Sequence, residues 1–236
     1  SIQKILTIVP VMEVLGEDYK FSTELYSSNN DTYTIKLGAD PYLSTHDIQA
    51  IASKINSDKI KKLYIDDSII EQKDWGEGWQ WDDDLNPSMP KFSAYNIDKN
   101  LMEITISPTV KGFPAHITQE ISYPLTFINH IKTDKATKFK LKRQNNISPD
   151  TILAEGTIQY NKSSIRELPV SNPKKYFTMR LSEAIINHNI SSSGAYKEIT
   201  LNNDYTLLTL LSHDIDRAKK DIYKNSNNFV SETVFK

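Results

Sequence analysis

The chain begins Ser1-Ile2-Gln3-Lys4, which sets a hydroxyl and a primary amine three residues apart at the head of an amphipathic segment. On a helix, positions i and i+3 share a face, so the Lys4 ammonium can reach the Ser1 hydroxyl. A free serine hydroxyl is a weak nucleophile. A lysine partly desolvated beside other cations can lose its proton near neutral pH and then accept the serine's. S-x-x-K is thus a nucleophile with its base. The pattern alone is not specific, because Ser171-Asn172-Pro173-Lys174 also fits it in a Pro-containing stretch. Ser1 also suits a helix N-cap, and the two roles are compatible.

The elements that must carry these groups are readable in outline. Ile5, Leu6, Val9, Met12 and Leu15 repeat at a helical period that ends at Gly16, a C-cap residue. Pro10 lies inside that helix and should kink it, sparing the first turn upstream. From about Phe21 to Leu168 the pattern turns to strands. Alternation marks 32–37, 62–65, 101–106 and 138–142, each bounded by Asn, Asp, Ser, Pro or Gly. One helix interrupts them, capped by Ser44 or Thr45 and lined by Ile48, Ile51, Ala52 and Ile55. Helical periodicity returns at 173–187 and again at 204–226, where Leu207, Leu208, Leu211, Ile215 and Ala218 form one side. The expected architecture is α+β, with helical segments bracketing a β-rich insertion.

Bulk properties exclude several classes. With 236 residues, 38% hydrophobic and 25% charged, the chain can bury one substantial core and one or two small ones. A net charge of -2 gives no electrostatic case for nucleic acid or an anionic membrane. No apolar run approaches the roughly 18 to 20 residues that span a bilayer, and no signal peptide or internal repeat is evident. Zero cysteines rule out disulfides and thiolate metal sites without deciding the compartment. The five histidines, His46, His116, His130, His188 and His213, lack zinc-site spacing. Neither a phosphate-binding glycine loop nor a G-x-S-x-G elbow occurs. No cofactor or metal is expected.

A series of motifs, in order, spans nearly the whole chain. They are the S-x-x-K segment followed by Leu15-Gly16-Glu17-Asp18-Tyr19; Gly38-Ala39-Asp40-Pro41-Tyr42-Leu43; Asp66-Asp67-Ser68 closing a strand; Trp75-Gly76-Glu77-Gly78-Trp79-Gln80-Trp81-Asp82-Asp83; Phe92-Ser93-Ala94; and Ser226-Asn227-Asn228-Phe229-Val230-Ser231-Glu232. Together they resemble peptidase family S13, the low-molecular-mass class C penicillin-binding proteins of the D-alanyl-D-alanine carboxypeptidase and endopeptidase type. That family carries S-x-x-K, a long insertion, S-x-N and then K-T-G.

The resemblance implies part of a penicillin-recognising, β-lactamase/transpeptidase-like catalytic domain. It divides the chain into a first catalytic part at 1–22, one or two small inserted β-rich domains at 23–168, and a second, helical catalytic part at 169–236. S-x-x-K would open the central helix, and S-x-N would occupy a helix–helix loop across one cleft. The implied catalytic set is Ser1, Lys4, Ser226 and Asn228. Ser226 would relay the leaving-group proton with Lys4, and the Asn228 amide would donate to the substrate backbone. Taken alone, Ser226-Asn227-Asn228 is a polar turn, and Ser28-Asn29-Asn30 has the same spelling.

The implied reaction is that of a serine carboxypeptidase on peptidoglycan stem peptides, through an acyl-enzyme on Ser1 that β-lactams would also form. Cleavage of crosslinks as an endopeptidase is a second activity open to the same site. The implied location is the periplasm or cell envelope. No K-T-G, K-S-G or H-T-G occurs, so the chain reads as an excised piece, with K-T-G expected roughly 100 positions beyond Lys236 by the family order. A piece without that strand lacks one oxyanion-hole N–H, which puts its activity in isolation in doubt.

All three tryptophans fall between Trp75 and Trp81, just before Asp82, Asp83 and Asp84. Such a loop can cup an aliphatic chain and pair with an ammonium. The resemblance makes Asp83, Asp82 and Trp81 candidates for holding the free amino group of the stem peptide. The inserted residues 85–91 blur the register, and a solvated acidic turn beside a small aromatic core is an equal reading. A Ca²⁺ site from Asp82, Asp83 and Asp84 is disfavoured, because adjacent carboxylates cannot all face one ion. Two other function classes compete. In an N-terminal-nucleophile hydrolase the α-amine of Ser1 would be the base. A non-catalytic peptidoglycan-binding module would have kept the fold alone.

Overall fold

The computed structural model describes residues 2–70, 84–121, 123–192, 196–199 and 205–236, with side chains from position 8 onward except at 197 and 198. The chain forms two compact units. One comprises Ser1–Glu77, Lys91–Asn100 and Asn172–Lys236, and the other Gly78–Pro90 and Leu101–Ser171.

The first unit begins with α1 (Ile2–Leu15), which continues through Pro10. It stops at Gly16, whose φ of 85° is open to glycine and whose N–H bonds the Met12 carbonyl at 3.0 Å. There follow β1 (Lys20–Ser28), β2 (Thr32–Lys36), α2 (Thr45–Ala52), β3 (Lys59–Ile60) and β4 (Lys62–Asp66). Ser44 caps α2 in a reciprocal box with Asp47, and Ile48, Ile51 and Ala52 are buried. The second unit supplies β5 (Leu101–Ser107), β6 (His116–Gln119), β7 (Thr126–Asp134), β8 (Lys138–Arg143), β9 (Thr151–Gln159) and β10 (Ser164–Pro169). The chain then returns to the first unit through α3 (Pro173–Asn187), β11 (Ser191–Ser192), β12 (Tyr196–Glu198), β13 (Thr206–Asp214), α4 (Ile215–Asn225) and α5 (Asn228–Phe235).

The first unit is built on a mixed five-stranded sheet in the order β12-β4-β2-β1-β13, with α2 and α3 packed together. A separate cluster joins α1, α4 and α5. Ile8, Phe21, Tyr42, Ile215, Ala218, Ile222, Phe229 and Val230 are all buried in it. The second unit holds two three-stranded sheets, β10-β5-β6 and β7-β9-β8, whose core includes Met102, Ile104, Ile131, Ile152 and Ile158.

The α+β class and the strands at 32–37, 62–65, 101–106 and 138–142 agree with the sequence reading. Residues 204–226 need a correction. Leu207, Leu208 and Leu211 belong to strand β13, antiparallel to β1 with Lys20 opposite Asp214 and Phe21 opposite His213, and only Ile215–Asn225 is helical. The leucine spacing fits a helix. Pairing with a strand from the far end of the sequence overrides that preference, because β13 then completes the sheet edge and half-buries Leu208 and Leu211, while Leu207 and Leu210 stay exposed.

Gly38 fixes how closely β2's exit approaches β1. A Cβ there would lie 2.1 Å from the Ser22 carbonyl oxygen and 2.8 Å from its nitrogen, both immobile backbone atoms. Gly38→Ala should therefore lower stability by about 1–3 kcal/mol, as overpacking does. Thermal denaturation checks this, and an unchanged melting temperature would contradict the close approach.

Candidate active site

Lys4 lies in the first turn of α1, with its side chain outside the described residues, as is Ser1. Ser226 and Asn228 are described. Ser226 ends α4 in the left-handed region, with φ 52° and ψ 39°, and its N–H bonds the Asp221 carbonyl. This reversal exposes Ser226 and turns the chain directly into α5. Asn227 caps α5, its Oδ1 accepting from Val230 N at 3.1 Å, while Asn228 is the first helical residue and is half-buried. The S-x-N spelling is thus both a left-handed C-cap and an N-cap, which fixes the backbone on each side of its polar groups. α4 and α5 both pack on α1, the helix that bears S-x-x-K.

Behind this turn lies a polar cluster that the sequence reading did not single out as functional. The Asp40 carboxylate accepts from its own turn at Tyr42 N (2.8 Å) and meets His213 Nδ1 at 2.6 Å. Burial pushes the Asp40 carboxyl up, while the hydrogen bonds from His213 and Tyr42 N–H oppose that shift. The Tyr42 hydroxyl donates to Asp221 Oδ2 at 3.1 Å, and the Arg217 guanidinium sits 4.1 Å from the Tyr42 ring centre. Burial first, and the Asp221 carboxylate next, push the Tyr42 phenol up, so it stays a donor. Gly38-Ala39-Asp40-Pro41 was legible as a motif. His213 and Asp221 gave no signal, since they pair with residues 173 and 179 positions away.

Trp81, Asp82 and Asp83 lie outside the described residues. Asp84, next in the same acidic run, belongs to the second unit and is engaged structurally. Its Oδ2 lies 3.1 Å from Arg143 Nε and accepts from Asn145 Nδ2 at 2.9 Å. Arg143 is buried and also donates to the carbonyls of Pro149 and Pro169. Its Nε approaches Asp84 without hydrogen-bond alignment, so that contact is an ion pair. Among the described residues, no group of three or more His, Asp or Glu is placed to hold a metal ion. Nor is any described helix long and apolar enough to cross a membrane.

An apolar groove of about 350 Å³ in the first unit is lined by Pro10, Val11, Val14, Leu15, Val234 and Phe235, among others. It follows the C-terminal halves of α1 and α5. The candidate residues on those helices, Lys4 and Asn228, belong to their first turns, so this groove is not where the reaction is sought.

Comparison with known proteins decides the family. The model of the D-Ala-D-Ala carboxypeptidase 3 (S13) family matches residues 1–236, the whole chain. The chain belongs to the S13 family.

A D-alanyl-D-alanine carboxypeptidase from Actinomadura sp. (strain R39) is 26% identical over 135 residues, which cover 50% of this chain and 25% of that protein. The crystal structure of penicillin binding protein 4 from Haemophilus influenzae matches with a TM-score of 0.82 at 19% identity, over 98% of this chain and 55% of that one. The same protein in complex with a β-lactam matches with a TM-score of 0.72 at 17% identity, over 99% of this chain and 54% of that one. At these identities the structural likeness speaks for the fold. This S13 chain spans about half the length of those solved structures and a quarter of that curated relative.

Proposed function

We propose that the protein is a serine-type D-alanyl-D-alanine carboxypeptidase of the bacterial cell envelope that acts on peptidoglycan stem peptides and binds penicillin. The observation that carries this reading is the S13 match over the whole chain, which takes in both S-x-x-K and S-x-N. The local geometry supports it, because the capped turn at Ser226–Asn228 joins the two helices that pack on α1.

The reaction divides between two steps. The Ser1 hydroxyl attacks the carbonyl of the penultimate D-alanine while Lys4 takes its proton; the peptide C–N bond breaks, the terminal D-alanine leaves with a proton passed through Lys4 and Ser226, and water then hydrolyses the ester. The Asn228 carboxamide is suited to donate to the substrate backbone, since its place at the start of α5 restricts its direction. Trp81, Asp82 and Asp83 are assigned to the stem-peptide side chain, with a carboxylate for its ammonium and an indole for its methylenes. Crosslink cleavage would use the same serine with a longer leaving group. A bound β-lactam would acylate Ser1 and leave an ester slow to hydrolyse.

The test is covalent labelling of the full-length protein by a fluorescent penicillin, together with release of D-alanine from a D-Ala-D-Ala pentapeptide. Label and release are the expected result. No label, with the peptide still bound, would replace this reading with a non-catalytic binding module.

A further inference from the structure

The Gly38–Tyr42 turn is tied to β13 and α4 directly and to α5 through Asn96. Asp40 binds His213 on β13, and Tyr42 binds Asp221 on α4. Asn96 Nδ2 lies 3.5 Å from the Ala39 carbonyl and 3.4 Å from Thr233 Oγ1 on α5. Asp221 is where these contacts meet the turn itself. Its carboxylate accepts from Tyr42 through Oδ2 and from Asn225 Nδ2 (2.9 Å) through Oδ1, while its main-chain carbonyl accepts the N–H of Ser226 and that of Asn227 (3.4 Å).

We propose that Tyr42 and Asp221 are positioning residues for Ser226 and Asn228: the Tyr42 hydroxyl holds Asp221, and Asp221 holds both sides of the turn. The proposal rests on the acyl-enzyme reading above and adds to it residues that touch no substrate. A left-handed non-glycine residue at Ser226 is a sparsely populated conformation that must be over-determined by its surroundings. Here a single side chain supplies part of that determination from outside the two helices. Tyr42 itself is held on three sides: the Arg217 guanidinium over its ring, the His213 ring at 6.0 Å, and the Asp40 carboxylate on its N–H. Its hydroxyl direction is therefore set before substrate arrives, as a positioning group requires.

Tyr42→Phe keeps the ring and removes only the donor. In the full-length protein it should slow penicillin acylation by about tenfold, as loss of one hydrogen bond to a charged group does. The loss should fall in kcat, with KM for the pentapeptide nearly unchanged and the melting temperature close to wild type. Asp221→Ala should match it. Asp221→Asn, which unlike Asp221→Ala retains a side-chain acceptor for Tyr42, should recover most of the rate. Hydrogen exchange at the Ser226 and Asn227 amides reads the brace without catalysis and should quicken in Tyr42→Phe. Acylation within twofold of wild type, or a loss equal in Asp221→Asn and Asp221→Ala, overturns the proposal. If the wild type takes no label, the acyl-enzyme reading fails by itself, and unchanged amide exchange in Tyr42→Phe then overturns the brace as well.

Discussion

Ser1→Ala in the full-length protein is expected to abolish covalent labelling by a fluorescent penicillin while leaving the fold intact. The reason is stoichiometric, because the acyl group needs an oxygen and no other hydroxyl in the motif set stands beside a lysine at helical spacing. Lys4→Ala should keep the oxygen and lose its base, slowing acylation by roughly 10²–10⁴-fold, the usual contribution of a positioned general base. Full labelling of Ser1→Ala would sink the assignment and point to another nucleophile.

The second large effect concerns stability. Arg143→Ala should destabilise the second unit by about 3–5 kcal/mol, since it leaves the Asp84 carboxylate buried without its counter-charge. In a domain of this size that corresponds to a fall in apparent Tm of roughly 12–40 °C. Desolvation makes the intact pair a weak net stabiliser, whereas removing one partner leaves an uncompensated ion, so the asymmetry should be visible in a cycle. Asp84→Leu combined with Arg143→Met should recover part of the loss. Recovery stays incomplete because the Pro149 and Pro169 carbonyls lose their donor in either variant. Differential scanning calorimetry of the wild type, Arg143→Ala and the double variant measures this, and an Arg143→Ala transition within about 2 °C of wild type would show that the pair is not buried in solution.

The Arg143 pair also bears on the acidic run. Asp84 is turned to the interior of the second unit by Arg143 and Asn145. It is thereby removed from the set able to meet a ligand. The resemblance had already put Asp82 and Asp83 ahead of Asp84, but no local signal in the sequence pairs Asp84 with Arg143, which lies 59 positions away.

What the sequence determined by itself was whatever depends on near neighbours: the α1 helix and its stop at Gly16, a helix cap at Ser44 or Thr45, the alternating strands at 32–37 and 101–106, and the order of motifs that marks the S13 family. These follow from φ preferences, capping hydrogen bonds and side-chain period, all satisfied within a few residues. Tertiary structure alone decided that 206–214 is a strand, that His213 meets Asp40, and that Tyr42 holds Asp221 beside the S-x-N turn. Each of these needs a partner from a distant part of the chain. A leucine-rich stretch that tolerates either helix or strand takes the form that completes the sheet, and a buried carboxylate takes whichever donor the closed chain brings within reach.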